Sequence, residues 1–392
     1  MSNTTEFVPH KYQEKCIKFG VSRSCAGFFL TPGLGKTIIS LVIYKILRRK
    51  KYVRRVLIVA KKRICYNVWP KELRKWKGLE KFTYKILHGE SDVFASEVDI
   101  DIINYEGLIK FCNVKKTKQK KTGKIIKRYV VKPEFKDRYD LAIFDESSKL
   151  RRTKTQRFKI VKQLIPHIGR RYLLTGSPAP RSLMDLFGQM YVLNKDIFGE
   201  YITNFRNMYF HPSGYMGYQW KLIPGMEDEI YRRIKPNVIR FGDEELDLPP
   251  LVPVLNRVTL EADAFHTYRE LEREFIVEVR EGLITAETAG VASGKLRQIS
   301  GGACYTGKGK KRKTLHIHDE KIEECIEIVE ELQGSPCIVA YEFDHELKRL
   351  QEAFPEATYF ASGEEGSDIE DEWNAGNIPI LLGQTSACLL YT

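Results

Sequence analysis

Short apolar runs alternate with segments of helical spacing over the first half of the chain. Gly27-Phe28-Phe29-Leu30, Val56-Leu57-Ile58-Val59-Ala60, Leu141-Ala142-Ile143-Phe144 and Arg171-Tyr172-Leu173-Leu174 read as strands, with helical patterns between them. Such alternation from Phe28 to about Leu193 predicts a parallel sheet with helices on both faces. From Asp185 to Arg240 the pattern changes to aromatic-rich helical segments carrying Tyr201, Phe205, Tyr209, Phe210, Tyr215, Tyr218 and Trp220. Those rings either pack an inserted subdomain or stack on bases, and packing is the reading preferred here. Gly242 to Pro253 is acidic and proline-rich, as expected of a hinge. Beyond it Val254–Leu260 reads as a strand, Ala264–Glu281 as a charged amphipathic helix, Lys321–Leu332 as a helix and Cys337–Tyr341 as a strand. His345–Phe354 then reads as a helix and Ile378–Leu382 as a strand. This is a second βα lobe that stops before its sheet is complete.

Three of the early strands end in polar residues that can do chemistry. The first opens into Gly33-Leu34-Gly35-Lys36-Thr37 and then an apolar helix. Glycines at Gly33 and Gly35 let backbone N–H groups close around phosphate oxygens. Lys36 neutralises the β/γ-phosphates, and the Thr37 hydroxyl is placed to ligate Mg²⁺ at a positive helix N-terminus. The strand at Leu141 ends in Asp145-Glu146, at the sheet edge where ligands bind in such folds. Asp145 would hold Mg²⁺ through its water shell and Glu146 would orient and deprotonate an attacking water. A third strand ends in Thr175-Gly176-Ser177-Pro178, whose small hydroxyls at Thr175 and Ser177 could sense the phosphate end. Together they predict a site for ATP and Mg²⁺.

Charge extends the picture from nucleotide to polymer. The chain of 392 residues carries a net charge of +13, which favours an anionic polymer as partner. Lys115 to Lys132 holds nine lysines and arginines and no acid, with Gly123 at its centre, and predicts a basic hairpin. It reads equally as a phosphate-contacting element or as a solvated insertion. No stretch approaches the length of apolar sequence that crosses a bilayer, and Met1 to Glu6 lacks a signal pattern, so no membrane and a cytoplasmic location are expected. Eight cysteines without a C-x-x-C pair predict reduced thiols, Cys304 with His316 and His318 being the one conceivable metal cluster.

The order GLGKT, DESS, LLTGSP resembles motifs I, II and III of superfamily 2 helicases, specifically Swi/Snf-like DNA translocases in their compact phage and bacterial form. Pro9-His10-Lys11-Tyr12-Gln13 resembles the adenine-reading glutamine motif. Val56–Ala60 with Val68–Trp76 resembles motif Ia, and Asp101–Glu106 the strand ahead of motif II. Leu296-Arg297-Gln298, His318-Asp319-Glu320-Lys321 and Cys337–Tyr341, the last as motif IV, extend the likeness over nearly the whole chain. The resemblance implies an α/β protein of two RecA-like lobes, the first over 1–245 with a helical insertion at about 185–240, the second, incomplete, over 246–392. It implies Glu146, Asp145 and Lys36 as catalytic residues, and Gln13, Gly33, Gly35, Lys36, Thr37, Thr175 and Ser177 as nucleotide-binding. Thr37 and Asp145 would hold the metal. The implied partner is DNA, duplex favoured over single strand, and a monomer is expected.

Three departures stand out. Lys61 follows Ala60 where the family has proline, and Ser147-Ser148 follow Glu146 where relatives have alanine- or glycine-histidine. Past Ile380–Ala387 the family continues into motifs V and VI, whose arginines reach the γ-phosphate, and neither motif is complete here. Cys388 to Thr392 match one reading frame of a transposase adapter used in sequencing libraries, so the natural sequence is expected to leave this one near Ala387. Poor hydrolysis by the chain as written, or a DNA-binding module that keeps the fold without turnover, follows as an expectation.

Overall fold

Successive residues of the central strands go to opposite faces of one sheet, and both faces are covered. The computed structural model describes residues 4–88, 93–95, 97–118, 125–213, 219–245, 252–274, 276–279, 282–285, 289–307, 312–359 and 365–385. The chain divides into two compact units, Met1–Leu248 and Pro249–Tyr391. Expectations placed on Gly123, Tyr215, Tyr218, Leu389 and Leu390 lie outside the described residues.

The first unit runs α1 (Lys11–Val21), β1 (Cys25–Leu30), α2 (Lys36–Arg49), β2 (Val56–Ala60), α3 (Lys62–Lys75), β3 (Tyr84–Ile86) and β4 (Ile100–Asn104). It continues through β5 (Cys112–Lys118), β6 (Ile125–Val131), β7 (Leu141–Asp145), α4 (Gln156–Leu164), β8 (Arg170–Thr175) and α5 (Leu186–Leu193). Then come α6 (Ile202–Tyr209), β9 (Phe210–Ser213), β10 (Gln219–Leu222), α7 (Met226–Ile234) and β11 (Val238–Phe241). Seven strands form one sheet in the order β11-β1-β8-β7-β2-β4-β3, and every pairing in it is parallel. Phe28, Leu30, Ile58, Ile143 and Leu174 pack with Tyr12, Leu41 and Trp69 of α1–α3. Their neighbours Phe29, Val59, Phe144 and Leu173 pack with Val161, Met190, Phe205 and Ile230 of α4–α7. A strand buried on both faces has no polar face to alternate, hence the unbroken apolar runs.

The segment from Asp185 to Arg240 is not a purely helical insertion. All eight residues of α5 are buried, β9 and β10 form an antiparallel hairpin, and β11 joins the main sheet as a parallel edge strand beside β1. Phe205, Tyr209 and Phe210 are buried in the core, whereas Tyr201 is exposed, and Trp220 lies under the Arg206 guanidinium at 5.0 Å. Packing explains most of the aromatic run.

The second unit comprises α8 (Ala262–Glu274), β12 (Ile276–Val279), β13 (Gly282–Thr285), α9 (Ala289–Ser300), β14 (Ala303–Thr306) and β15 (Lys313–His316). After these come α10 (Glu320–Glu331), β16 (Cys337–Tyr341), α11 (Asp344–Ala353), β17 (Thr358–Tyr359), α12 (Glu365–Asn374) and β18 (Ile380–Gln384). A three-stranded parallel sheet has the order β16-β18-β17, and two hairpins pair β12 with β13 and β14 with β15. Two expectations are corrected here. Val254–Leu260 forms no strand: the segment pairs with no described strand, and Val254 and Leu255 are exposed. The helix expected to reach Glu281 stops at Glu274, because the β-branched Ile276-Val277 and Val279 enter a hairpin instead.

Candidate active site

The loop after β1 turns back on itself through two glycines in the left-handed region, Gly33 at φ 87° and Gly35 at φ 74°. A Cβ on Gly35 would sit 2.8 Å from Nε2 of Gln13, so both backbone twist and crowding select glycine there. α2 then starts at Lys36 because Ile38, Leu41, Tyr44 and Leu47 recur at helical spacing and are buried. Its first turn holds no acid, which leaves the positive helix end uncompensated, while Arg48 and Arg49 sit at the negative end.

Lys36 donates from Nζ to the carbonyls of Leu30 at 2.8 Å and Thr31 at 3.1 Å. Burial lowers its pKa, while Asp145 and Glu146 act to raise it. Thr37 is half-buried in the first turn of α2. Gln13 is buried beside the loop, its Oε1 accepting from the His10 N–H at 2.9 Å and its Nε2 donating to Leu34 O at 3.4 Å.

Two strands away in the sheet, β7 delivers Asp145, almost fully buried, with its backbone oxygen accepting from Tyr105 Oη at 2.8 Å. Oδ2 accepts from Trp69 Nε1 at 3.1 Å and Oδ1 from the Glu146 N–H at 2.9 Å. Burial and the neighbouring Glu146 carboxylate push the Asp145 pKa up to about 6, against the pull of Trp69, Lys36 and the Glu146 N–H. Glu146 occupies the left-handed region at φ 52°, which for a residue with a Cβ costs on the order of 1 kcal/mol. That backbone is held from both sides: Glu146 Oε1 accepts from Ser148 Oγ at 2.6 Å and from Thr175 Oγ1 at 3.0 Å. Strain sustained by surrounding contacts is a recurring mark of functional positions.

The expected residues therefore converge. β8 lies between β1 and β7, so Thr175 bridges the loop strand and the carboxylate strand. Ser177 is exposed and meets this network through its backbone, donating to Thr175 Oγ1 at 3.2 Å. Several participants escaped the sequence reading. Trp69 and Tyr105 steady Asp145; Ser147 donates to Gln189 Oε1 at 2.8 Å, and the buried Gln189 donates onward to Pro178 O. Lys61, noted above only as a departure, caps α3 with φ −69°, a value proline would share. Burial lowers its pKa, and Glu146 is the largest influence opposing that shift, so a second cation faces the acidic pair.

Among the described residues no group of three or more His, Cys, Asp or Glu side chains is gathered to hold a metal ion. Cys304 approaches Gln298, His316 pairs with Asp319, and His318 contacts Ile299 O and Glu320. One carboxylate and one hydroxyl, Asp145 and Thr37, fit Mg²⁺, which is commonly held by one or two carboxylates together with substrate phosphates.

The family described as SNF2-related domain matches residues 12–302, well over half of the chain. The protein belongs to the SNF2-related family. A similar curated protein is "Putative protein p41" of Acyrthosiphon pisum secondary endosymbiont phage 1, 25% identical over 405 residues that cover 97% of this chain and 82% of that protein. Two similar solved structures from Sulfolobus solfataricus are a SWI2/SNF2 ATPase core in complex with dsDNA and a SWI2/SNF2 ATPase core domain. The first is 17% identical with a TM-score of 0.49, the second 18% identical with a TM-score of 0.47. Each spans 98% of this chain and 80% of its own. The SNF2-related match spans the first-unit network just described from Gln13 to Gln189.

Proposed function

We propose that this SNF2-related chain is an ATP hydrolase, with Mg²⁺ as its metal, that couples turnover to movement along DNA, duplex in preference to single strand. The observation that carries the reading is the hydrogen-bonded assembly of Asp145, Glu146 and Thr175 at one sheet edge, beside a glycine loop that ends in Lys36 and Thr37. Lys36 would exchange its two loop carbonyls for the β- and γ-phosphates, trading neutral acceptors for charged ones. Thr37 and Asp145 would hold Mg²⁺, which when bound neutralises phosphate charge. Glu146 would orient the attacking water and take its proton, and Thr175, which already donates to its Oε1, would register where that carboxylate stands. Gln13, wedged against Gly35, would read adenine beside the loop. The net charge of +13 favours the polymeric polyanion.

Glu146→Gln tests the assignment. Glutamine keeps an acceptor for Thr175 and Ser148 but cannot take a proton, so in a chain that carries complete motifs V and VI ATP affinity should persist while phosphate release with duplex DNA falls at least ~100-fold. Lys36→Ala should instead abolish binding of a fluorescent ATP analogue. Turnover of the Glu146→Gln variant close to wild type would remove Glu146 as the base.

A further inference from the structure

Between β4 and β7 the chain leaves the sheet as a two-stranded antiparallel ribbon, β5 and β6, that the nucleotide site does not use. Its root is fixed. Cys112 and Tyr129 are buried in the core, Val114 and Val131 pack against it, and the Lys132 N–H donates to Phe111 O at 2.9 Å. The register then sets cation against cation, Lys115 opposite Arg128 and Lys116 opposite Lys127, with Lys118 one step further out. All five are exposed, and among the described residues none of them forms an ion pair.

Like charges directly opposite on paired strands destabilise a ribbon. Lysines that only protect an open sheet edge need no such facing arrangement. Because side chains alternate, Lys115 and Arg128 lie on one face of the ribbon, and Lys116, Lys127 and Lys118 on the other. A ribbon resting on a flat acidic surface would use one cationic face. Two cationic faces suit a slot with phosphates on both walls. Two strands about 4.8 Å apart with their side chains are of a width that enters the DNA major groove, roughly 12 Å across.

We propose that β5 and β6 form a duplex-binding arm that enters the major groove, with Lys115, Lys116, Lys118, Lys127 and Arg128 contacting phosphates of both strands. The inference rests on the DNA reading given above. With all five cations assigned to phosphates rather than to base edges, the arm binds without regard to sequence. It is also anchored in the core of the first unit. Its root shares a hydrophobic cluster with Phe144, the residue before Asp145, and Tyr105 at the end of β4 holds the Asp145 backbone.

The test compares wild type with a variant carrying Lys115→Gln, Lys116→Gln, Lys118→Gln, Lys127→Gln and Arg128→Gln. Binding to a labelled 25-base-pair duplex of mixed sequence, and to one of its strands, is titrated at several salt concentrations. At ~0.9 per phosphate contact, the slope of log affinity against log salt should flatten by up to about 4.5 for the duplex, and by clearly less for the single strand. Thermal stability should hold or rise, since the facing charges are relieved. A photo-crosslinker on Thr117→Cys, one step out from the paired cations and on the face of Lys115 and Arg128, should attach to the duplex with the five cations intact. An unchanged duplex slope, equal flattening for single strand and duplex, or absence of the crosslink overturns the proposal. Failure of wild type to bind duplex at low salt would instead remove the DNA reading on which it rests.

Discussion

The two units bury their apolar residues in different ways. In Met1–Leu248 two large clusters sandwich a seven-stranded sheet, and the strands β1, β2 and β7 are buried along their whole length. In Pro249–Tyr391 the apolar side chains among the described residues gather in three small clusters, and β16 alternates, with Ile338 and Ala340 exposed. A thick, doubly covered sheet can hold a carboxylate such as Asp145 out of water, and can hold Glu146 in a strained backbone, because its neighbours cannot yield. The residues proposed for nucleotide chemistry lie on the first unit, and the second should open locally at lower free energy.

The largest expected effect attacks the thick sheet directly. Phe144 is 1% exposed and packs between β7 and the helices on one face. Phe144→Ala should cost about 3–5 kcal/mol, and native-state hydrogen exchange should show the loss in first-unit amides. Amides of the second unit, already less protected, should keep their rates. Equal loss in both units would mean that they unfold as one, and the comparison would fail.

How much of this was legible depends on sequence distance. Gly33, Gly35, Lys36 and Thr37 are adjacent, as are Asp145 and Glu146, so each motif carries its own chemistry and could be read directly. The groups that steady them are remote: Trp69 is 76 residues from Asp145, Tyr105 is 40, and Gln189 lies 42 from Ser147. Nothing local marks an indole or amide as the partner of a distant carboxylate or hydroxyl. The strands buried on both faces were legible because they are uniformly apolar. Misreadings arose where tertiary pairing overrides pattern: β11 looked like the end of a helical segment until it paired with β1, and Val254–Leu260 looked like a strand but pairs with no described strand. The basic ribbon was legible as a hairpin, yet the opposition of Lys115 to Arg128 appears only with the register.

A smaller effect tests whether the thick sheet really confines charge. Asp145 has a folded pKa raised to about 6 from 3.8, so the folded state binds the proton more tightly than the unfolded state does. Stability therefore falls as pH rises from about 4 to about 6 and levels off above that. Asp145→Asn removes this cost, worth up to about 3 kcal/mol at pH 8. Its amide can accept well from only one of the two N–H groups, Trp69 Nε1 and Glu146 N, which returns about 1 kcal/mol or more. The variant should then melt higher than wild type at pH 8 and lose that advantage by pH 4. A variant less stable than wild type at pH 8 would show that Asp145 is better solvated than its burial implies.

The smallest effect belongs to the thin sheet. Ile338 is 56% exposed on β16, opposite Leu381 of β18, which is buried from Ile380 to Gly383. Ile338→Thr keeps the β-branch that suits a strand and replaces the ethyl arm with a hydroxyl on a face already in contact with water. The expected change is within about 0.5 kcal/mol, the range of ordinary surface substitutions. Exchange of the β16 and β18 amides in the full chain measures it, and those rates should match wild type. A loss of about 2 kcal/mol confined to these strands would mean that Ile338 is covered in solution. The second unit would then bury its sheet on both faces as the first does, and the contrast in stability drawn between them would vanish.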